Sequence, residues 1–313
     1  MGPSSVRIYE VSPRDGLQNE ATVVTTATKA ELIGRLVAAG VSDIEVTSFV
    51  RPRWIPQLAD AHELVASLPR PFGAEYWGLV PNRVGVERAL ESGLRNVATF
   101  MSVSETHNKK NVNRTVRESL AGLEEVIGVA RDEGLRTRSY VSTVFGCPYE
   151  GWVAPEATRA VVRALVASGT DEIVLGDTTG LGTPTMVEEV IEMLVADGLS
   201  IGRISVHFHD TRGTALANSL TAWRLGVRTF DASVAGIGGC PYAPGAAGNL
   251  ATEDLVYMFE GMGVDTGIDL DLLADAGAYA AESLGRVLPG RYHQAWLGER
   301  QRAVSRALAA TGA

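Results

Sequence analysis

Two histidines two positions apart, His207 and His209 in the segment VHFHDT, are spaced to bind a metal ion. Side chains at positions i and i+2 of a β-strand leave the same face, so both imidazoles would point to one side and Phe208 to the other. On an inward face the two rings can bind one cation together. The alternative is two histidines hydrogen-bonded in a polar cavity, so the pair needs further ligands before it predicts a metal site.

A cation and a carboxylate stand side by side in PRDGLQ, as Arg14 and Asp15, at the end of the first β-like run. A turn at Gly16 would let both approach a common site, although an exposed ion pair at a turn is the more frequent arrangement. Glu45 lies in the apolar run IEVTSF, where a carboxylate is usually paired. If the two runs form adjacent strands, Arg14 is the expected partner of Glu45.

Asp177 and Asn249 extend this set of candidates. Asp177 ends the run EIVLGD, and it lies too far upstream of the helix expected near Pro184 for a helix-capping role to be attractive. Asn249 ends GIGGCPYAPGAAGN, and its amide oxygen can join two imidazoles and a carboxylate around one cation. A mixed nitrogen and oxygen set with open positions suits Mg²⁺ or Mn²⁺, whereas structural zinc is disfavoured and catalytic zinc stays open.

The same segment carries Cys240, one of only two cysteines, among glycines and prolines. The loop by its composition leaves the role of this thiol open. A small buried hydrophobic residue is the commonest state of a free cysteine. The second cysteine, Cys147 in GCPYEG, is predicted to be structural.

The elements that must position these residues alternate along the chain. Segments with apolar residues at three- and four-residue spacing, several of them ending in glycine as helix C-caps do, separate eight β-like runs at 7–13, 43–49, 75–81, 96–104, 137–145, 172–177, 203–210 and 229–239. This order predicts an α/β fold, the (β/α)8 or TIM barrel, with extra C-terminal helices. A doubly wound sheet would need a glycine-rich turn after its first strand, where SPRDGLQNE has one glycine. Barrel active sites lie at the C-terminal ends of the strands, where the candidates fall.

Length and composition limit the remaining possibilities. No Pro/Ser-rich linker divides the 313 residues, so we expect a single catalytic domain, with the barrel over about 5–265 and a helical extension over about 266–313. A net charge of −9 argues against a nucleic-acid partner. The absence of long apolar runs and of a signal-peptide pattern, together with two cysteines only, predicts a cytoplasmic protein without membrane contact.

Several segments together resemble the 3-hydroxy-3-methylglutaryl-CoA lyases, a group of metal-dependent TIM-barrel enzymes related to Claisen synthases. They are VSPRDGLQNE, IEVTSFV, GCPYEG, GDTTGLGTP, HFHDT and, most distinctively, GGCPYAPGAAGNLATEDLVYM. The resemblance covers about residues 7–265. It implies cleavage of (S)-3-hydroxy-3-methylglutaryl-CoA to acetoacetate and acetyl-CoA, as in leucine degradation and ketone-body formation.

The resemblance also implies roles for individual residues. The metal ligands, for Mg²⁺ or Mn²⁺, would be Asp15, His207, His209 and Asn249. The catalytic residues would be Arg14, Asp15, Glu45, Asp177, His207 and Cys240, with Arg14 and Gln18 binding the acyl-CoA substrate. Either Cys240 or His207 would protonate the enolate, and a homodimer is expected.

Three positions depart from the family pattern: Ala21 replaces a frequent lysine, Arg212 a frequent aromatic residue, and His107 a larger apolar residue. These departures leave the acyl chain open. The alternatives are a lyase for a longer 3-hydroxyglutaryl-CoA and a condensing enzyme that uses acetyl-CoA, although condensing relatives usually carry a further C-terminal domain. A metal-binding protein without catalysis would not need both Arg14 and Cys240.

Overall fold

Eight parallel strands close into a barrel in the computed structural model, which describes residues 5–69, 73–239 and 247–311. The strands pair in chain order, and β1 closes the barrel against β8. The predicted (β/α)8 fold is therefore confirmed. The strands are β1 Arg7–Glu10, β2 Asp43–Ser48, β3 Glu75–Leu79, β4 Asn96–Ser102, β5 Arg136–Ser142, β6 Glu172–Asp177, β7 Ile204–Phe208 and β8 Thr229–Ala232.

Helices follow the strands and pack their apolar faces around the barrel. The six glycines that end helical segments before a strand, Gly40, Gly93, Gly134, Gly169, Gly198 and Gly226, all have positive φ, as helix C-terminal glycines do. The helices are α1 Thr26–Ala38, α2 Ala61–Ser67, α3 Arg83–Glu91, α4 Glu105–Val112, α5 Val116–Asp132, α6 Pro155–Ser168, α7 Pro184–Ala196, α8 Ala215–Arg224, α9 Thr252–Gly261, α10 Leu270–Leu284 and α11 Arg291–Thr311.

Several strands end earlier than the sequence pattern predicts. The run predicted over 7–13 leaves the sheet after Glu10, because a π-helical turn forms over Ser12–Gly16. The run predicted over 229–239 leaves it after Ala232 and turns at Ala235, whose φ is +52°. After β8 the apolar residues Val234, Ala235 and Ile237 continue the run, and after β1 only Val11 extends it, so the sequence period alone places neither strand end. These two turns carry the chain across the C-terminal mouth of the barrel.

A buried carboxylate ties the two turns together. Glu10 accepts hydrogen bonds from the backbone nitrogens of Ser12 and Val234, both at 2.9 Å, and from the Thr252 hydroxyl at 2.7 Å. Its side chain thus links the ends of β1 and β8 to the start of α9. Burial raises its pKa, and these hydrogen bonds oppose that shift.

The two C-terminal helices pack on the outside of the barrel. The backbone nitrogen of Asp269, just before α10, donates to Ala39 at the end of α1 at 2.8 Å. Asp254 on α9 accepts from the first two backbone nitrogens of α11, at Arg291 and Tyr292. In the described ranges no helix is both long enough and apolar enough to cross a bilayer.

Candidate active site

Three of the four predicted ligands form a compact cluster at the C-terminal mouth. Asp15 lies in the turn after β1, His207 on β7 and His209 just beyond it. Each offers one ligand atom, and these three atoms all lie within 4.8 Å of one another. The two imidazole centres are 5.3 Å apart, as expected for two side chains on one face of a strand. We call these residues, with Asn249, the ligand cluster.

Asn249 joins the cluster through backbone pairing. It forms an antiparallel bridge with His209, and its Nδ2 donates to Asp15 Oδ2 at 3.0 Å and to the carbonyl oxygen of Ile237 at 3.1 Å. Gly238 makes room for this amide, because a Cβ there would lie 2.7 Å from Asn249 Nδ2. The side chain is therefore fixed in one orientation beside Asp15.

The ligand cluster fits a divalent cation. Asn249 Oδ1 and His209 Nδ1 are both buried and have no hydrogen-bond partner among the residues that the structure describes, although buried polar atoms are usually paired. A carboxylate, an amide oxygen and imidazole nitrogens form a donor set that suits cations such as Mg²⁺ and Mn²⁺. A bound cation would use these buried atoms.

The charges of the cluster also suit cation binding. Burial alone would raise the pKa of Asp15, but the neighbouring Arg14 guanidinium and the two histidines hold that pKa at about 2. Burial, with the charge of His207, lowers the pKa of His209 to about 3. At neutral pH Asp15 is ionised and His209 is neutral, which are the forms that bind a cation.

Arg14 is held against the ligand cluster by two carboxylates. Its Nε donates to Glu45, and its Nη1 donates to Asp15 Oδ1 at 2.6 Å. Burial opposes the charge of Arg14, but Glu45 and Asp15 raise its pKa above the ordinary value. The structure thus contains the Arg14–Glu45 pair predicted from the sequence.

Glu45 has two further partners. Its Oε2 accepts from the hydroxyls of Tyr9 and Tyr140, each at 3.0 Å. The carboxylate is fully buried and has both oxygens occupied. It therefore fixes the Arg14 guanidinium in one plane at the mouth of the barrel.

Asp231 and Arg138 are two charged residues at the site that the sequence analysis missed. Asp231 on β8 accepts from His207 Nδ1 at 3.2 Å and from Arg138 Nη2 at 2.8 Å. Arg138 on β5 is fully buried and also pairs with Glu172 at 2.9 Å. Both residues interrupt β-like runs, as Glu45 does, so the signal that identified Glu45 could have identified them.

Asp177 binds the backbone of its own loop. Its carboxylate oxygens accept from the backbone nitrogens of Leu181 and Gly182, at 2.9 and 3.0 Å. Burial raises the pKa of Asp177 to about 6. Both bonded nitrogens precede α7, so Asp177 does not cap that helix, in agreement with its distance from Pro184 in the sequence. Its side chain instead organises the loop that leads to α7.

Gln18 and Cys240 complete the predicted site residues. Gln18 lies two residues after the π-helical turn and is half-buried, and its Oε1 is a buried acceptor that has no partner within the described ranges. Cys240 lies outside the described residues. The nearest described residues before and after it, Gly239 and Ala247, form an antiparallel bridge with each other.

A cleft of about 400 Å³ lies beside the segment that carries Cys240. Its lining includes the residues that flank this segment and a stretch between α10 and α11, namely Gly238, Gly239, Ala247, Gly248 and residues 286–289. Asn19 and Glu20, just after Gln18, contribute to the same lining. The cleft therefore borders the β1 and β8 sides of the mouth.

Cys147 is buried, and its environment is polar. Its sulfur contacts the Ser104 hydroxyl at 3.0 Å and accepts from the backbone nitrogens of Tyr149 and Glu150, each at 3.4 Å. These contacts fold the GCPYEG loop around the sulfur. They are compatible with the structural role predicted for Cys147.

The three departures from the family pattern have different environments. Ala21 is exposed. His107 is buried on α4 and contacts the Ser102 hydroxyl at 2.5 Å through Nδ1. Arg212 donates to the carbonyl oxygens of Thr179 and Gly180, at 2.8 and 3.2 Å, so it braces the loop that Asp177 also holds.

Comparison with known proteins gives consistent matches over most of the chain. The model of the HMGL-like family matches residues 5–279. The hydroxymethylglutaryl-CoA lyase YngG of Bacillus subtilis is 49% identical over 289 residues, which cover 92% of this chain and 96% of that protein.

Solved structures give the same result. A crystal structure of the Bacillus subtilis HMG-CoA lyase has a TM-score of 0.92 at 48% identity, and the match covers 94% of this chain and 99% of that one. An HMG-CoA lyase from Acinetobacter baumannii, in complex with coenzyme A and 3-methylmalate, has a TM-score of 0.88 at 39% identity. That match covers 93% of this chain and 95% of the other.

Proposed function

This chain belongs to the HMGL-like family, and from that premise we propose that it is a carbon–carbon lyase that cleaves (S)-3-hydroxy-3-methylglutaryl-CoA into acetoacetate and acetyl-CoA. The observation that carries this proposal is the meeting of the ligand cluster with Arg14 at one mouth of the barrel. A retro-Claisen cleavage needs a cation site beside a fixed positive charge, and this mouth supplies both.

The acyl-CoA substrate enters, we propose, along the cleft beside Gly239. Support comes from the lining of the cleft, which includes Gly248, the residue that precedes Asn249 in the chain. The Acinetobacter relative has coenzyme A and 3-methylmalate bound, and coenzyme A is the carrier group of an acyl-CoA substrate. Gln18, with its unpartnered acceptor oxygen, is the proposed contact for a hydroxyl or amide of the substrate.

The ligand cluster is the proposed site of Mg²⁺ or Mn²⁺, held by Asp15, His207, His209 and Asn249. When bound there, such a cation lowers the pKa of a chelated hydroxyl group and orients it for reaction. The unpartnered Asn249 Oδ1 and the neutral His209 support this assignment.

Arg14 is proposed to stabilise the charge that cleavage creates. When the bond between C2 and C3 of the acyl group breaks, its electron pair moves onto the thioester and forms an enolate. A guanidinium with permanent charge and several donors suits the enolate oxygen. Glu45 and its two tyrosine partners would keep Arg14 in place without moving during the reaction.

Two proton transfers complete the reaction. Asp15 or His207 takes the proton of the tertiary hydroxyl, whose oxygen then forms the ketone of acetoacetate. Cys240 or His207 returns a proton to the enolate carbon and gives acetyl-CoA. We propose that Asp177 contributes by shaping the loop after β6. Its two hydrogen bonds with backbone nitrogens of that loop support this role.

Finer assignments belong to the same proposal. A homodimer, a cytoplasmic location, a single domain with its barrel over about 5–265 and a part in leucine degradation all follow from the sequence or the family resemblance.

A coupled assay of acetyl-CoA release tests the proposed function. The purified chain is incubated with 3-hydroxy-3-methylglutaryl-CoA after EDTA treatment, and again after addition of Mg²⁺ or Mn²⁺. We expect release with either cation and a large loss of rate with EDTA. A longer 3-hydroxyglutaryl-CoA serves as the comparison substrate.

Two results would change the proposal. If only the longer substrate is cleaved, the proposed acyl chain of the substrate is wrong but the proposed class of reaction is correct. Acetyl-CoA consumption with a keto acid, in the absence of cleavage, would favour the condensing enzyme.

A further inference from the structure

We propose that Asp231, oriented by Arg138, is a positioning residue that keeps the Nε2 atom of His207 free to bind a cation. The inference deepens the proposed function, on which it rests for the role of His207 as a ligand. Neither Asp231 nor Arg138 belongs to the ligand cluster, so both would act through His207.

The pairing of the strands brings Asp231 to His207. The two residues face each other in the register between β7 and β8. Asp231 is buried, and its Oδ2 lies 3.2 Å from His207 Nδ1. On the other side of the ring, His207 Nε2 points toward the cluster and lies 4.0 Å from Asp15 Oδ2.

Hydrogen-bond chemistry then decides where the imidazole proton lies. An ionised carboxylate can only accept, so the contact with Asp231 requires His207 Nδ1 to carry a proton. In the neutral ring Nε2 then keeps its lone pair. Carboxylates that fix the ring of a metal-binding histidine in this way are worth about 10–100-fold in metal affinity.

Arg138 fixes which atoms of Asp231 are available. Its guanidinium is fully buried, lies 3.5 Å from the centre of the Tyr9 ring and donates to Asp231 Oδ1 at 2.8 Å. A guanidinium has only hydrogen-bond donors, so the atom of residue 231 that faces Arg138 must be an acceptor. It therefore leaves Oδ2 as the atom that faces His207.

The substitution Asp231→Asn tests this arrangement without a change of size. The introduced amide has one acceptor oxygen, which Arg138 would take, so the amide NH₂ would face His207 Nδ1. That nitrogen must then accept, and the proton moves to Nε2. We expect the dissociation constant for Mn²⁺, measured on the full chain without substrate by electron paramagnetic resonance, to rise about 10–100-fold.

A second readout follows the proton directly. In ¹H–¹⁵N spectra of the histidine rings, the signal of His207 should change from the Nδ1-protonated to the Nε2-protonated form in Asp231→Asn. The signal is assigned from its loss in His207→Gln. A merely structural role for Asp231 would not exchange the two forms.

The double substitution Arg138→Met with Asp231→Asn provides a rescue. Without the guanidinium the amide can turn its oxygen toward His207 Nδ1, so Mn²⁺ affinity should recover severalfold relative to Asp231→Asn alone. The matched control is Glu172→Gln, because Glu172 also pairs with Arg138 but hydrogen-bonds to Arg7 and Ser205 instead of His207. We expect this control to bind Mn²⁺ like the unaltered chain.

The outcomes separate this inference from the proposed function. An unchanged His207 tautomer in Asp231→Asn, or a folded double variant without recovery, would overturn the inference. If the unaltered chain binds no Mn²⁺, the metal part of the proposed function fails and the histidine spectra alone decide the inference. If Mn²⁺ binding follows the expected pattern but no acetyl-CoA is released, the inference stands and the proposed activity fails.

Discussion

Glu45 and Asp43 are buried carboxylates on the same strand, β2, but they have different partners. Glu45 binds Arg14 and two tyrosine hydroxyls near the ligand cluster. Asp43, two residues earlier, accepts from Arg7 at 3.3 Å and from the Trp77 indole at 3.1 Å. Both pair with an arginine, but only Glu45 pairs with one that also contacts a predicted metal ligand.

The substitution Glu45→Gln is expected to reduce turnover by about 100-fold, because Arg14 keeps its charge but loses the carboxylate that orients it. Loss of one partner from a buried pair should also lower the free energy of unfolding by about 3–5 kcal/mol. Steady-state rates of acetyl-CoA release and urea unfolding measure the two effects.

Asp43→Asn is the matched control, since it removes a buried carboxylate of the same strand. It should lower stability and leave turnover nearly unaltered. Equal losses of turnover in the two variants would mean that both act through stability, and the orienting role of Glu45 would be wrong.

At the level of the elements, Asn249 depends on backbone bridges formed by the described residues Gly239, Ala247 and His209. Gly239 pairs with Ala247, and His209 pairs with Asn249. The backbone nitrogen of Asp210 donates to Gly248 at 2.7 Å. Asn249 is thereby placed in the ligand cluster by hydrogen bonds of the main chain.

Gly248→Ala should disrupt this pairing. A Cβ at that position would overlap the carbonyl oxygen of Gly238 and lie 2.7 Å from the carbonyl carbon of Gly239. The backbone must shift, which moves Asn249 away from Asp15. We expect at least a tenfold rise in the Mn²⁺ dissociation constant and a comparable loss of kcat, since small displacements of positioned groups cost this much or more.

The control for this variant is Gly239→Ala on the partner strand of the same bridge. Gly239 is exposed, and a Cβ there would meet no atom of the described residues within 4 Å. Its Mn²⁺ affinity should match that of the unaltered chain. If both alanine variants bind Mn²⁺ normally, the close approach at Gly248 does not control the cluster.

For the molecule as a whole, the C-terminal helices support the turn at Ala235, which follows β8. Ala235 has a φ of +52°, which is costly for a residue with a Cβ. Its nitrogen donates to Glu253 on α9 at 2.7 Å, and its carbonyl oxygen accepts from Gly290 at 2.9 Å. His293 on α11 packs against Glu253, with Nδ1 3.9 Å from Oε1. Helices outside the barrel thus hold a strained turn at its mouth.

This support makes stability dependent on pH. Burial raises the pKa of Glu253 to about 8, and the nearby Glu10 and Asp254 carboxylates add to the shift. The folded chain therefore keeps a proton on Glu253 that the unfolded chain loses near pH 4.5. The contribution of this group is complete below pH 4.5 and is lost as the pH rises toward 8, by at most about 1.4 kcal/mol per pH unit.

Glu253→Gln should remove this contribution, since the amide resembles the protonated acid at every pH. As the pH rises from 5 to 8, the unfolding free energy of the unaltered chain should fall relative to that of the variant. Urea unfolding across this range measures it, and the comparison cancels the effects of the other titrating groups. Parallel pH profiles would show that Glu253 is ionised in the folded chain.

Part of this site could be predicted because it depends on local geometry. The shared face of His207 and His209 follows from the two-residue period of a strand, and the place of Arg14 and Asp15 follows from their position after the first strand. The alternation of strands and helices was enough to predict the barrel.

Strand ends and hydrogen-bond partners could not be predicted in the same way. Val234, Ala235 and Ile237 carry the apolar run through the turn after β8, so the period of the sequence does not mark where the sheet ends there. Asp177 accepts hydrogen bonds from backbone nitrogens four and five residues further along its loop. Its position in the sequence suggests only the question of a helix cap and not these bonds.

The fold and the candidate ligands could thus be predicted before any coordinates, because strand period, helix period and family motifs are local properties. Only the tertiary structure decided which charges meet. Asp231 reaches Arg138 across 93 positions of the chain, and Asn249 reaches Asp15 across 234. Such contacts form only when the closed barrel brings β1, β5, β7 and β8 around one interior, and local patterns predict the barrel without specifying which side chains then meet.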